Sequence, residues 1–259
     1  MLLMLVFYLM MIVGLRIFMK ARAPYSLRPQ MQVYNGVQII INLYVALGLS
    51  ILPYSSEPFS MFGINARYNS RLEFFVFLHY VSNYLDYVDT AFIILRAKER
   101  QQLTFLHVYH HATIGTIWGS LLYNGHGNGT AAFGALIGSV TRCIMYTYYF
   151  RTSIGFDIQS KKLVTLVQIA QLLLCLGHAA IALRQEEILP RPYAWAQLVY
   201  QLQMILLMIM FYRRCYLGTS ISQDVFNRRP VDNMKSRKAS GHERRKVILL
   251  PRMTPSTYL

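Results

Sequence analysis

Long apolar runs separated by short polar segments make up most of the 259-residue chain. A helix needs about 20 apolar residues to cross the roughly 30 Å hydrocarbon core of a membrane. A backbone in lipid must satisfy its own hydrogen bonds, so each run of that length predicts a helix. Seven runs qualify: residues 2–18, 36–53, 72–95, 104–123, 131–150, 163–183 and 194–212. The pattern therefore predicts an all-α polytopic membrane protein with seven transmembrane helices.

The apolar pattern stops near residue 215, and a polar, basic segment follows it. Residues 1–215 are predicted to form one seven-helix transmembrane domain, and residues 216–259 a disordered cytosolic tail. The N-terminus is apolar from its second residue, without a basic segment or a small-residue cleavage site. Residues 2–18 are therefore predicted to be a retained first span rather than a signal peptide.

Positive charge is distributed unevenly between the predicted loops. With the N-terminus on the lumenal side, 20 of the 26 Lys and Arg residues are cytosolic and four are lumenal, while Arg16 and Arg142 fall inside spans. This bias predicts a lumenal N-terminus and a cytosolic C-terminus. The net charge of +15 does not indicate nucleic acid, because 11 of the basic residues follow residue 212 in the tail. There they are expected to lie near anionic lipid.

Three histidines lie near the start of the fourth predicted span, in the segment His107-Val-Tyr-His110-His111. Positions i, i+3 and i+4 share one face of a helix, so the three imidazoles are predicted to lie together. Polar rings are costly in lipid and seldom only structural there, which makes this face the first candidate catalytic site. The other histidines occur singly: His79, His126, His178 and His242.

Two chemistries use such a histidine cluster. One is metal ligation, as in membrane desaturases and hydroxylases, where several histidine boxes surround a di-iron centre. The scattered positions of the remaining histidines leave too few ligands for that site, so a metal is not expected. The other is acyl transfer, in which a neutral imidazole acts as nucleophile or general base.

The third predicted span carries a polar stripe formed by Asn83, Asp86, Asp89 and Thr90. The negative charge of two carboxylates inside a membrane must be balanced by a nearby positive charge. Arg142 of the fifth span is the predicted counter-charge, because no other basic residue lies mid-span nearby. A purely structural ion pair is the alternative interpretation.

The sixth predicted span opens with a second polar stripe. Thr165, Gln168 and Gln171 recur every three residues and so face one side of the helix. Two interpretations stay open for this stripe: it lines a functional site, or it forms hydrogen bonds between helices.

Taken in order, these segments resemble the very-long-chain fatty acid elongase family of the endoplasmic reticulum, over about residues 10–215. Residues 107–111 are similar to the family's HxxHH signature, and the stripe of the sixth span matches its TxxQxxQ motif. Residues 19–24 and 34–35 resemble the family's segment after the first span.

The likeness to that family breaks at four positions. Its KxxExxDT motif is here Asn-Tyr-Leu-Asp-Tyr-Val-Asp-Thr at residues 83–90, so the Lys is missing and the Glu is Asp. Its HxxMY motif is Arg-Cys-Ile-Met-Tyr at residues 142–146, and Gly138 stands where Asn is usual. The family's Lys, Glu and Asp sum to a net charge of −1, and Asp86, Asp89 and Arg142 of this chain also sum to −1. We therefore hypothesise that the cation has moved from the third span to the fifth.

The resemblance implies condensation of a long-chain acyl-CoA with malonyl-CoA to 3-ketoacyl-CoA, carbon dioxide and CoA. His110 is the expected acylated nucleophile, with His107 and His111 assisting in orientation and proton transfer. No metal or redox cofactor is expected. The acyl chain would occupy a tunnel enclosed by the helix bundle. The expected substrate-binding residues are Asp86, Asp89, Thr90, Arg142, Tyr146, Gln168, Gln171, Arg96, Lys98 and Lys161, with Arg100 and Lys162 also near the CoA phosphates.

The expected partners are acyl-CoA, malonyl-CoA and membrane lipid, and the expected location is the endoplasmic reticulum membrane. Other enzymes of the elongation cycle and a second copy of the chain are further candidate partners, whereas nucleic acid is not. The missing Lys and His motivate an alternative. In that reading the chain is a divergent elongase-like membrane protein that binds lipid or joins a complex and has little condensing activity.

Overall fold

The computed structural model describes residues 1–51, 68–156, 161–184 and 190–217, and within these ranges it contains helices and no strand. The predicted all-α class is confirmed. The helices are α1 Leu2–Met19, α2 Arg28–Ile51, α3 Ser70–Leu85, α4 Tyr87–Leu95, α5 Glu99–Gln102, α6 Phe105–Tyr123, α7 Ala131–Ser153, α8 Lys161–Arg184 and α9 Arg191–Tyr212, with a π-helical turn at Arg213–Leu217. The predicted tail beyond residue 217 lies outside the described residues.

The helices follow the predicted apolar runs, with two differences. The predicted third span is divided into α3 and α4 at Asp86, whose dihedral angles of −63° and −13° remain helical. α4 therefore continues α3 after a single residue. α2 begins at Arg28 rather than at residue 36. Its first turns are helical but polar, so a search for apolar runs does not include them.

Four helices of the described part are long and apolar enough to cross a membrane: α1, α2, α8, and α9 with its π-helical turn. The chain is therefore a multi-pass membrane protein. The other three predicted spans are α3 with α4, α6 and α7. They hold the three histidines of α6 and the buried Asp86 and Arg142, and their length and composition alone do not identify them as spans. The count of seven stays a prediction.

The helix ends that the charge bias assigns to the cytosol lie together at one end of the bundle. Arg16 Nε donates to Glu99 Oε2 at 2.8 Å, which joins the last turn of α1 to α5. The Tyr25 backbone N–H donates to the Leu95 carbonyl at 3.0 Å, which joins the α1–α2 connection to the end of α4. Arg16 was predicted inside a span but is half exposed at this basic end.

The connections on the other side meet at the opposite end of the bundle. Asn128 Nδ2 donates to the Asn69 carbonyl at 2.8 Å, which links the α6–α7 connection to the start of α3. The rings of His126 and Tyr193 lie 5.0 Å apart and link that connection to the start of α9. Successive long helices therefore run in opposite directions through the bundle.

Small residues and glycines let the helices around the centre approach closely. A Cβ atom at Gly115 of α6 would lie 2.7 Å from the Tyr84 ring of α3, a distance that no real side chain tolerates. α6 is thereby held against α3 with its histidines near α4.

The apolar core of α2, α3 and α7 lies toward the end opposite the basic one and is formed by Val45, Leu49, Leu72, Val76, Ala131, Ala132 and Ala135.

Candidate active site

A cavity of about 940 Å³ lies between the helices. Its lining begins at Arg28, Arg96 and Lys161 at the basic end and continues past Trp118 to Tyr193 near the opposite end. Within the described part, α1 is the long helix that contributes no lining residue. The volume lies at the upper end of the range for small-molecule pockets, so the cavity has room for an elongated ligand.

The three histidines of α6 meet beside this cavity. Thr104 caps the helix, because its Oγ1 accepts a hydrogen bond from the His107 backbone N–H at 3.2 Å. The helix that starts there carries His107, His110 and His111 on one face, and all three line the cavity. The ring centroid of His111 lies 4.3 Å from that of His107 and 5.3 Å from that of His110. The three rings therefore lie together on one wall of the cavity between the helices.

Thr90 holds His107 in place. Its Oγ1 lies 2.8 Å from His107 Nε2 and 3.0 Å from the Tyr8 hydroxyl of α1. Thr90 is fully buried and does not line the cavity. The sequence predicted Thr90 as a substrate-binding residue. The structure places it behind the histidines, where it contacts His107 and does not line the cavity.

The Arg142 guanidinium lies in a buried polar cluster between α7 and α3. Nη2 donates to Asp86 Oδ2 at 2.8 Å and also to Asn83 Oδ1, and Nη1 donates to Ser82 Oγ at 2.8 Å. Arg142 and Asp86 are both at least nine-tenths buried. The predicted counter-charge is therefore found, and it contacts the Asn83 side chain that replaces the family's Lys.

The second carboxylate is bound by hydroxyl groups. Tyr146 donates to Asp89 Oδ2 at 2.6 Å and lies 2.9 Å from Asp86 Oδ1, so its phenol bridges the two carboxyl groups. Tyr34 of α2 also donates to Asp89 Oδ2, at 3.0 Å. Asp86 accepts in addition from Gln38 Nε2 at 2.8 Å. Asp86 and Asp89 line the cavity, whereas Tyr146 is fully buried behind them.

The polar stripe of α8 forms another wall of the cavity, because Thr165, Gln168 and Gln171 all line it. Two of them also contact neighbouring elements. Thr165 Oγ1 lies 3.2 Å from the Tyr216 hydroxyl, and Gln168 Nε2 donates to Met145 Sδ at 3.3 Å. The two interpretations of this stripe are therefore compatible: it lines the site and joins helices.

The basic end of the cavity includes some of the predicted cations. Arg96 and Lys161 line it, together with Arg28, which was not predicted. Lys98, predicted as substrate-binding, does not line the cavity. Lys162 does not line it either: its side chain is exposed, and its Nζ lies 5.9 Å from the Tyr212 ring centroid. Partial burial lowers the pKa of the Arg96 guanidinium from its usual value, but an arginine keeps its charge at neutral pH.

Sequence reasoning missed three groups of site residues. Asn35, Gln38 and Asn42 are buried on one face of α2, and their i, i+3, i+7 spacing at the start of an apolar run could have identified them. Tyr8 carries no such signal, because it is a single tyrosine in an apolar helix. His79 is the third case. It lines a deeper part of the cavity beside the Trp118 ring, and its Nδ1 lies 2.9 Å from Ser139 Oγ.

Metal ligation was the alternative use of the histidines. Across residues 1–51, 68–156, 161–184 and 190–217, no three His, Cys, Asp or Glu side chains are grouped so that they could hold a metal ion. The histidines are instead surrounded by Thr90, aromatic rings and each other. The expectation that the chemistry needs no cofactor stays a prediction.

Comparison with known proteins gives consistent matches. Residues 1–223 match the sequence profile of the family described as "ELO: GNS1/SUR4 family". "Fatty acid elongase 5" of Leishmania major is 42% identical over 207 residues, which cover 80% of this chain and 81% of that protein. "Fatty acid elongase 5" of Trypanosoma cruzi is 39% identical over 80% of each chain. "Very long chain fatty acid elongase 4" of Homo sapiens is 33% identical over 77% of this chain and 65% of its own.

Proposed function

Because this chain belongs to the ELO: GNS1/SUR4 family and acts in fatty acid elongation, we propose that it condenses a long-chain acyl-CoA with malonyl-CoA. The products are 3-ketoacyl-CoA, carbon dioxide and CoA. The observation that carries the proposal is the common placement of His107, His110 and His111 on the wall of one elongated cavity. A cluster of imidazoles in a space with room for an acyl chain suits acyl transfer.

The proposed reaction has two halves. In the first, a ring nitrogen of His110 attacks the thioester carbonyl, the carbon–sulfur bond breaks, and the imidazole proton passes to the leaving thiolate. In the second, malonyl-CoA loses carbon dioxide to leave an enolate, which attacks the acyl-imidazole. The acyl–nitrogen bond breaks, and a proton from solvent restores the imidazole. Loss of carbon dioxide makes the second half irreversible. His107 and His111 orient the reacting groups and handle the protons.

The positions of the other side chains support the same proposal. Arg28, Arg96 and Lys161 are well placed to bind CoA phosphates at the basic end of the cavity, which we propose faces the cytosol. The acyl chain would extend from His110 past Trp118, a distance of about 12 Å along α6. This arrangement assumes seven spans with a lumenal N-terminus, in the membrane of the endoplasmic reticulum.

The depth of the cavity is expected to limit the acyl chain. Gly134 lines the cavity, and a Cβ atom there would lie 3.5 Å from the Trp118 ring. Gly134→Leu should therefore occupy the space beyond the histidines. We expect the longest accepted acyl-CoA to become shorter, while chains that end before Trp118 react at the wild-type rate. Product lengths measured by mass spectrometry over a series of acyl-CoA substrates test this.

Gly177 offers a matched control for that substitution. A Cβ atom at Gly177 of α8 would meet nothing within 4 Å, and this glycine does not line the cavity. Gly177→Leu should therefore leave the distribution of product lengths unchanged. An unchanged distribution for Gly134→Leu as well would show that the acyl chain does not reach Trp118.

The direct test of the proposed function is a condensation assay. Membranes from elongase-deficient cells that express the chain are supplied with a long-chain acyl-CoA and radiolabelled malonyl-CoA, without reductant. The expected product is 3-ketoacyl-CoA labelled at the two added carbons. Binding of acyl-CoA without any labelled product would instead support the alternative, a lipid-binding or complex-forming relative. The buried Arg142–Asp86 pair favours the enzyme, because it preserves a charged cluster beside the cavity despite the two replaced residues.

A further inference from the structure

A chain of three polar groups leads from α1 to the catalytic histidines. The Tyr8 hydroxyl lies 3.0 Å from Thr90 Oγ1, and Thr90 Oγ1 lies 2.8 Å from His107 Nε2. Tyr8 and Thr90 are both fully buried, and Tyr8 packs against the Tyr87 ring with centroids 4.4 Å apart. Solvent cannot reach the two hydroxyl groups. Each hydroxyl hydrogen must therefore be accepted by the other hydroxyl oxygen or by His107 Nε2.

Counting donors decides the direction of these hydrogen bonds. Within the described residues, the Tyr8 hydroxyl has Thr90 as its hydrogen-bond partner, and the Thr90 hydroxyl has Tyr8 and His107. Each hydroxyl carries one hydrogen atom. If Tyr8 donates to Thr90 and Thr90 donates to His107 Nε2, every hydrogen is used. If His107 donates instead, one buried hydroxyl hydrogen is left without an acceptor, which is unfavourable.

We propose that Tyr8 is a positioning residue that, through Thr90, holds His107 in the tautomer with its proton on Nδ1. Nε2 is then occupied as an acceptor, and the ring presents Nδ1–H as its remaining polar group. His107 lines the cavity next to His111, so this N–H acts as a hydrogen-bond donor on the histidine face. In this tautomer His107 takes part in orientation and proton transfer through Nδ1, because Nε2 is occupied by the Thr90 hydroxyl.

For catalysis the inference rests on the proposed acyl transfer. A fixed donor near the nucleophile can stabilise the negative charge that develops on the thioester carbonyl oxygen in the transition state. A histidine free to exchange tautomers would present that donor only part of the time. The first helix, which contributes no lining residue, would thereby influence the reaction through one hydroxyl group.

The tautomer can be measured directly, without any substrate. Protein with ¹⁵N in its seven histidines is studied by NMR in detergent micelles. The His107 signals are assigned by comparison with the His107→Gln variant. We expect wild-type His107 to show a protonated Nδ1 and an unprotonated Nε2. Tyr8→Phe, which keeps the ring and removes the hydroxyl, should give a mixture of tautomers. A wild-type His107 protonated at Nε2 would overturn the inference.

Kinetics provide the second measurement. Tyr8→Phe and Thr90→Val should each lower kcat by at least about tenfold with little change in KM, since neither residue touches the substrate. Thr90→Ser keeps the hydroxyl and should restore most of the rate. Tyr87→Phe is the matched control and should react like wild type, because within the described residues its hydroxyl makes no hydrogen bond.

The two readouts separate failure of the inference from failure of the proposed function. If the NMR result holds but neither wild type nor variant forms 3-ketoacyl-CoA, Tyr8 still sets the tautomer and the condensation assignment is wrong. If wild type condenses and Tyr8→Phe matches it in both rate and tautomer, condensation stands and the inference about Tyr8 is wrong.

Discussion

His110→Ala is expected to lower the rate of 3-ketoacyl-CoA formation by about 10³-fold or more, because a reaction that proceeds through a covalent intermediate stops without its nucleophile. His110 lies on the cavity wall, with its ring 5.3 Å from that of His111. In the proposed reaction His110 is the group that carries the acyl chain. The measurement is incorporation of radiolabel from malonyl-CoA into 3-ketoacyl-CoA by membranes with equal amounts of each protein.

His126 provides the control for that substitution. It lies in the α6–α7 connection at the far end of the bundle, where its ring contacts Tyr193, and it does not line the cavity. His126→Ala should retain the wild-type rate. A His110→Ala protein that is correctly folded and incorporates label as fast as wild type would remove the histidine face from the mechanism.

Arg142→Leu is expected to remove activity and to destabilise the protein by about 3–5 kcal/mol, because it leaves the buried Asp86 carboxylate without its cation. Asp86 is 2% exposed, so solvent cannot replace the lost ion pair. Thermal unfolding in detergent and the condensation assay measure the two effects. Arg151→Leu is the control on the same helix, because Arg151 is exposed and does not line the cavity. It should change neither.

A double substitution tests whether the two departures from the family pattern are linked. Arg142→His alone should lose at least about 100-fold in rate, since a neutral imidazole cannot balance Asp86. Adding Asn83→Lys should recover much of the loss, because it returns a cation to α3 next to the same carboxylate. Arg142 donates to the Asn83 side chain, so the new Lys would occupy the same cluster. A double variant no better than Arg142→His would mean that the two replacements arose independently.

The periodic parts of the site could be predicted from the sequence. Spacing of i, i+3 and i+4 placed His107, His110 and His111 on one face, and the structure brings them together. Charge balance in an apolar medium identified Arg142 as the partner of Asp86. Both predictions rest on strong local constraints: the helical period, and the cost of an unpaired charge in lipid.

The contacts between distant helices could not be predicted in the same way. Thr90 and Tyr146 were expected to touch the substrate, but both are buried behind cavity-lining residues. Which face of a helix a polar residue occupies follows from its spacing. Whether another side chain covers it depends on how the helices pack. Tyr8 is the clearest case, because its hydrogen bond to Thr90 depends on α1 packing against α4, 82 positions away along the chain.

The proposed acyl transfer to His110 can be tested by direct detection of the acyl-enzyme. Purified protein is mixed with a long-chain acyl-CoA in the absence of malonyl-CoA, quenched rapidly, and examined by intact-mass and peptide mass spectrometry. We expect one acyl group on His110, release of one CoA per adduct, and loss of the adduct as 3-ketoacyl-CoA when malonyl-CoA is added. Wild-type protein that forms 3-ketoacyl-CoA with no adduct, or an adduct of equal yield in His110→Ala, would contradict acyl transfer to His110.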